Sequence, residues 1–259
     1  MIVGYNEALL LTACLQSINF CDEIFYTDLG STDNSIKIAE QYKAKIYYRD
    51  RANVPSCEMV QTEIVNYTKN DWVIFIDPDE RVDETLKKQI FNEFDNIITN
   101  NKIGAVIVPW KFYFKMHQLR GTVWGQNNQK ELLVNKNRFH FLPITHYGRK
   151  LKKGFLNYTI LPNSSSTNIL HHYWMNSINT FLKKHNRYLK NEGRDNYNAG
   201  IRVGLKKVLM TPLKEFYQSF INKKGYKDGF TGLFLSIFWA YYKTHIAIDI
   251  LKIQKKKLH

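Results

Sequence analysis

Two hydrophobic periods alternate along residues 1–109, and that alternation limits the fold more than any other feature. Short apolar runs at 1–5, 23–27, 44–48, 72–76 and 105–109 have the length and the β-branched or aromatic content of strands. Segments with helical spacing lie between most of them. Residues 7–18 put Leu10, Leu11, Cys14, Leu15 and Ile18 on one face, and 35–42, 57–67 and 84–96 also read as helices. Gly30 permits a tight turn, and Ser31 or Thr32 can cap the helix that begins at Ser35. Strands separated by helices of about 10–15 residues predict βαβ units and an α/β, Rossmann-like, mostly parallel sheet flanked by helices. Ligands of such sheets bind beyond the carboxyl ends of the strands. Tyr5-Asn6-Glu7, residues 28–33 and residues 77–80 all follow strand ends and are predicted to converge on one crevice.

After about residue 110 the periodicity blurs into short strands and loops. The polar run 163–168 marks a boundary, giving a domain at 1–165 and a helical, basic region at 166–259. There 177–191 carries Ile178, Phe181, Leu182, His185, Tyr188 and Leu189 on one face, and Leu205, Val208, Leu209, Leu213, Phe216, Tyr217 and Phe220 form a second stripe. Pro212 is expected to kink that helix or to start a new one. Residues 230–242 are almost wholly apolar, but thirteen residues are too few to span a bilayer. With Trp239, Tyr241 and Tyr242 and the lysines that follow, this segment predicts peripheral attachment to an anionic membrane surface, on its cytoplasmic face.

Charge follows the same division. Residues 1–98 hold 9 Lys/Arg against 17 Asp/Glu, residues 99–165 hold 11 against 1, and residues 166–259 hold 17 against 5. An acidic first part suits a divalent cation, and the basic remainder suits phosphates, nucleic acid or an anionic surface. Cys14, Cys21 and Cys57 have no metal-ligand spacing and read as reduced, buried thiols. No secretory signal opens the sequence, and the first strand begins so early that native residues are expected upstream. The run VIFIDPDERV (73–82) then poses the chemical question. Asp77 and Asp79, two apart at a strand end, can face one hard cation, and Mn²⁺ or Mg²⁺ held there would leave positions open for diphosphate oxygens.

Asn6-Glu7, Leu15-Gln16-Ser17, Asp22-Glu23-Ile24, Asp28-Leu29-Gly30-Ser31-Thr32-Asp33 and Trp72 through Glu80 occur in an order that resembles the family 2 glycosyltransferases of the GT-A fold. His171-His172-Tyr173, Arg187-Tyr188, Pro212 and Lys224-Gly225-Tyr226-Lys227-Asp228-Gly229 extend the resemblance to the branch that adds hexoses to lipopolysaccharide or lipooligosaccharide cores. The resemblance implies metal-dependent, inverting transfer from a nucleotide diphosphate sugar, UDP-glucose or another UDP-hexose, to a saccharide or glycolipid acceptor in cell-envelope biosynthesis. Tyr5, Asn6, Glu7, Asp28, Ser31 and Asp77 would contact the donor, and Asp77, Asp79 and His171 the metal. Glu80 and Arg81 would brace the turn. Two departures stand out: Leu29 where many relatives have a second acid, and Tyr147 where the branch carries an acid after histidine. Glu131 and His146 are then the candidate bases, because Glu131 is the one acid between Asp95 and Glu192. Competing readings are a sugar-phosphate nucleotidyltransferase, which would want a Gly-rich triphosphate loop; a nucleic-acid-binding protein, which would want a reading motif; and a catalytically decayed sugar-binding protein.

Overall fold

A computed structural model describes residues 1–54, 56–126, 128–142 and 148–256. The chain divides into two compact units, one of Met1–Trp110 with Gln129–His172 and one of Lys111–Asn128 with Tyr173–His259. The first unit opens as the alternation requires. Strands β1 (Ile2–Gly4), β2 (Phe25–Asp28) and β3 (Lys45–Tyr48) are parallel, with Gly4 opposite Asp28 and Asp28 opposite Tyr48. Helices α1 (Ala8–Ser17) and α2 (Ser35–Gln41) make the crossovers. Helix α3 (Cys57–Ile64) leads to β4 (Trp72–Ile74). The Met1 amino group donates to the Ile74 carbonyl at 2.8 Å and the Ile76 N–H to the Met1 carbonyl at 3.3 Å, a parallel pattern that sets β4 beside β1.

Strand alternation builds a core on each face. Ile2 and Tyr26 face one side with Leu11, Leu15, Leu86 and Ile97, while Val3 and Phe25 face the other with Val60, Ile64 and Phe75. The turn after β4 runs into β5 (Glu80–Val82) and then α4 (Glu84–Thr99). Asp83 caps α4 by accepting the Thr85 N–H at 2.8 Å.

Beyond α4 the expectation of a mostly parallel sheet fails. The chain forms β6 (Ile103–Phe114), β7 (His117–Gln118), α5 (Thr122–Gly125), β8 (Gln129–Asn135), β9 (Phe139–Phe141), β10 (Arg149–Leu151), β11 (Leu156–Thr159) and β12 (Leu170–Met175). The main sheet has the order β4-β8-β6-β12-β5, with β7 and β11 also on β6. Strand β8 is antiparallel to both β4 and β6, and β12 is antiparallel to β5, while β11 runs parallel to β6. The fold is therefore α/β with a mixed main sheet. Between β6 and β8 the described residues form only the two-residue β7 and the single turn of α5, with no crossover helix to carry the chain back, so the strands return antiparallel.

The second unit is helical: α6 (Ile178–Asn198), α7 (Leu205–Tyr217) and α8 (Gly229–Lys256). Its core is aromatic, with Phe181 centred 4.2 Å from His185 and 4.5 Å from Phe238, and Trp124 4.9 Å from Trp174. Helix α7 continues through Pro212 and ends in a π-helical turn at Gln218–Asn222. Two glycines that meet the 224–225 backbone, Gly232 in α8 and Gly121 before α5, have a packing reason. A Cβ on Gly232 would lie 1.8 Å from the Gly225 carbonyl oxygen, and one on Gly121 would lie 2.0 Å from that of Lys224. Asp228 accepts the Arg120 and Gly121 N–H groups at 2.7 and 2.8 Å. Among the described residues no helix is long and apolar enough to cross a membrane.

Candidate active site

The parallel strands β2, β1 and β4 bring three polar loops to their carboxyl ends. The first two are laced together. Asn6, in the left-handed region at φ 56°, donates its N–H to Ser31 Oγ at 2.9 Å, and its Oδ1 accepts the Thr32 N–H at 2.8 Å. The Glu7 N–H donates to Ser35 Oγ at 2.8 Å and the Ala8 N–H to Asp33 Oδ2 at 3.0 Å. Burial nudges the Asp33 carboxyl upward, but hydrogen bonds from Ser35 and Ala8 outweigh it and hold the group below its ordinary value. Asp28 is buried, and its Oδ2 accepts the Gly30 and Ser31 N–H groups at 2.9 and 2.8 Å. Its Oδ1 is also buried and has no hydrogen-bond partner among the described residues. Asp28 therefore shapes the 28–33 turn with one oxygen and leaves the other unsatisfied. The Tyr5 ring lies 4.0 Å beneath the Arg51 guanidinium, a basic group that the sequence pattern did not flag.

The acidic turn is the third loop. The Glu80 N–H donates to the Asp77 carbonyl and the Asp77 N–H to Glu80 Oε2, both at 2.9 Å. Cys14 Sγ donates to the same Asp77 carbonyl at 3.4 Å. Glu80 is wholly buried and braces the turn from inside, and its cation is Lys130 from β8 rather than the adjacent Arg81 that a local ion pair would use. Lys130 Nζ donates to Glu80 Oε2 and, at 3.2 Å, to Asp77 Oδ2, and it stands 5.4 Å over the Trp110 ring. His172 stacks on the same indole, centroids 5.1 Å apart and planes 5° from parallel, and its Nε2 lies 3.3 Å from Asp79 Oδ2. Asp77 exposes 49% of its side chain, whereas Asp79 exposes 18%.

These groups perturb one another in a consistent sense. Burial pushes the Glu80 carboxyl above its ordinary value, although Lys130 opposes the shift. For Lys130 burial disfavours the charge, but Asp77 and Glu80 overcome it and raise the ammonium. His172 behaves alike: burial pulls it down, and Asp79 with the other two carboxylates raises it. Asp77, Glu80 and His172 each offer a ligand atom within 4.8 Å of the others. Two carboxylates and an imidazole form a donor set that suits Mn²⁺ better than the all-oxygen preference of Mg²⁺. Glu80 Oε1, buried and without a hydrogen-bond partner among the described residues, adds a lone pair to the set.

His171 is not brought to this cluster. In β12 it sits opposite Arg81 while His172 sits opposite Glu80, and alternation turns its ring to the other face of the sheet. There Nε2 lies 3.5 Å from Asp83 Oδ2. The histidine next to the acids is thus His172. Glu131, the neighbour of Lys130 on β8, lies 3.4 Å from Arg149 Nε, and the Arg149 guanidinium covers the Phe75 ring at 4.3 Å. Burial raises the Glu131 carboxyl while Arg149 pulls it down, and burial wins. His146, the other candidate base, lies outside the described residues. Sequence reasoning weighs His171 and His172 together and favours His171, and it passes over Lys130 and Trp110. The one signal available was period-2 alternation, which separates 130 from 131 and 171 from 172 without saying which of each pair faces the acids.

Comparison with known proteins adds an independent line. The glycosyl transferase family 2 model matches residues 1–209. An uncharacterized glycosyltransferase of Rickettsia felis is 22% identical over 260 residues, covering 93% of this chain and 84% of that one. The lipopolysaccharide core biosynthesis glycosyltransferase LpsC of Rhizobium meliloti is 20% identical over 249 residues, covering 93% and 87%. Among solved structures, glucosyl-3-phosphoglycerate synthase from Mycobacterium tuberculosis, in complex with Mn²⁺ and UDP-glucose, aligns at a TM-score of 0.33 with 22% identity. That alignment covers 43% of this chain and 42% of the synthase, so the chain spans well under half of that protein.

Proposed function

The chain belongs to glycosyl transferase family 2, with an α/β fold of the GT-A-like kind, and on that premise we propose that it moves a hexose from a UDP-sugar, with inversion, to a saccharide or glycolipid acceptor of the lipopolysaccharide type. The observation that carries this reading is the packing of Asp77, Asp79, Glu80, Lys130 and His172 at the carboxyl end of β4, beside the interlocked 6–8 and 28–35 loops. The similarity to LpsC over 93% of the chain supports the acceptor class.

In the proposed mechanism Tyr5, Asn6, Glu7, Asp28 and Ser31 surround the nucleoside, with Asp77 at its sugar-diphosphate end. Asp77 and His172, which with Glu80 offer ligand atoms within 4.8 Å of one another, would hold Mn²⁺ together with Asp79, 3.3 Å from His172, and a bound ion would supply Lewis-acid neutralisation of the departing diphosphate. Lys130, anchored by Glu80, places a fixed ammonium at the same turn and adds to that stabilisation without reorganisation. The acceptor hydroxyl attacks the anomeric carbon as the bond from that carbon to the diphosphate oxygen breaks. Glu131 lies on the opposite face of β8 from Lys130, and it is proposed as the base that takes the hydroxyl proton because its ion-pair partner Arg149 also feels the Asp77 carboxylate. A carboxyl raised by burial is a stronger base than an ordinary one, and Arg149 holds it in place.

The test is a screen of nucleotide sugars with Mn²⁺ or Mg²⁺, scored by thermal shift and donor hydrolysis. UDP-glucose with Mn²⁺ is expected to stabilise the protein, and Asp79→Ala to abolish the metal-dependent part. Equal binding by the variant, or by wild type with and without metal, would overturn the proposal.

A further inference from the structure

Helix α7 carries its apolar stripe on the wrong side for a packed helix. Val208 and Thr211 are buried, Glu215 accepts the Trp239 indole N–H at 3.0 Å, and Ser219 in the following π turn meets Ser236 at 2.9 Å. At about 100° per residue these positions define one face. On the opposite face Leu209, Met210, Leu213 and Tyr217 fall within an arc of about 100°. They are 67%, 54%, 71% and 57% exposed. A contiguous row of large exposed apolar side chains marks a surface that something covers.

Charge identifies the cover. Residues 205–227 hold six lysines and one acid, Glu215, which is turned inward. Lys206 lies within the exposed face, Lys207 and Lys214 lie along one edge, and Lys224 and Lys227 are exposed just beyond the helix. A second copy meeting this face would set lysines against lysines, which is unfavourable. An anionic bilayer accepts both features, with leucines entering the acyl boundary, Tyr217 at headgroup level and lysines meeting lipid phosphates. Residues 230–242, the interfacial segment expected from sequence, are mostly occupied elsewhere: Leu235, Phe238, Ala240 and Tyr242 are buried in the second unit.

We propose that the outward face of α7 is an interfacial membrane-binding surface for anionic phospholipid, lying in the plane of the bilayer rather than crossing it. The proposal concerns where the protein sits and does not depend on which sugar it transfers. The test is co-sedimentation of the full chain with vesicles of phosphatidylcholine alone and of phosphatidylcholine mixed with phosphatidylglycerol, at low and high salt. Wild type should bind the mixed vesicles and largely leave them at high salt. Leu209→Ser/Leu213→Ser/Tyr217→Ser should lower the partition coefficient at least about tenfold, because these side chains are the part that enters the lipid. Lys206→Glu/Lys207→Glu/Lys214→Glu should lower it by a further, independent route, roughly fivefold or more per charge, and flatten the salt dependence. All six positions point away from the core, so thermal unfolding should be unchanged. Equal binding to neutral vesicles, or unchanged binding in both variants, would overturn the proposal. So would a wild-type dimer that the serine variant converts to monomer, which would assign the face to self-association. The readout is partition and not transfer, so its failure leaves the sugar-transfer reading standing, and the reverse.

Discussion

Lys130→Met would leave the Glu80 carboxylate, which has no exposed side-chain surface, without the cation that hydrogen-bonds to it. Two ion pairs break. The one with Asp77 is half-exposed and is worth below about 1 kcal/mol. The one with Glu80 is buried, and removing one member of such a pair costs about 3–5 kcal/mol, since the remaining charge has neither water nor partner. The expected loss is therefore about 4 kcal/mol, a large share of a typical stability of about 5–15 kcal/mol. At about 2–4 °C per kcal/mol for a unit of this size, the midpoint should fall by about 10 °C. Circular dichroism melts and urea titrations at neutral pH measure it. The pH dependence gives a second handle. Burial already raises the Glu80 carboxyl in the folded state, so its ionisation opposes folding as pH rises through the folded value. Without Lys130 that opposition grows, and the deficit of the variant should shrink on acidification toward pH 5. The double variant Glu80→Gln/Lys130→Met should recover most of the loss, because no buried charge remains. A single variant within about 1 kcal/mol of wild type, or a double variant no more stable than the single, would refute the reasoning.

The remaining expectations use other parts of the molecule. Gly232→Ala should destabilise the second unit by about 3 kcal/mol in urea titrations, since the new methyl meets the Gly225 carbonyl and neither backbone can retreat. His185 is held below its ordinary value by burial among Phe181, Trp124 and Phe238, despite its bond to the Phe181 carbonyl. Unfolding therefore takes up a proton, and stability should fall as pH drops from 7 through the ordinary histidine value; His185→Phe should remove that part of the slope. Glu131→Gln should lower kcat by about 10²–10⁴ with little change in donor KM, and the acid limb of the wild-type pH profile should lie above an ordinary carboxylate value. Loss of less than about tenfold would remove Glu131 as the base.

Local periodicity in residues 1–100 was enough to place the first strands, their crossover helices and the polar loops at strand ends, because each of those signals lies within a few residues of itself. Asp77 and Asp79 were legible for the same reason: a buried strand that stops at two acids is a local pattern. The cations beside them were not. Lys130 arrives from a strand 50 residues on, and His172 from β12, both through antiparallel pairings. The sequence reading expected parallel ones, since nothing near residue 110 announces the missing crossover helix. In β12 the HH pair shows that one histidine faces each side of the sheet, and only the register against Glu80 and Arg81 selects His172. Helix α7 repeats the lesson at larger scale. The spacing of Leu209, Leu213 and Tyr217 is readable as one stripe, yet spacing is a property of the helix alone. Whether that stripe faces the core or the solvent depends on what packs against Val208, Thr211 and Glu215, and that is decided by residues far away in the chain.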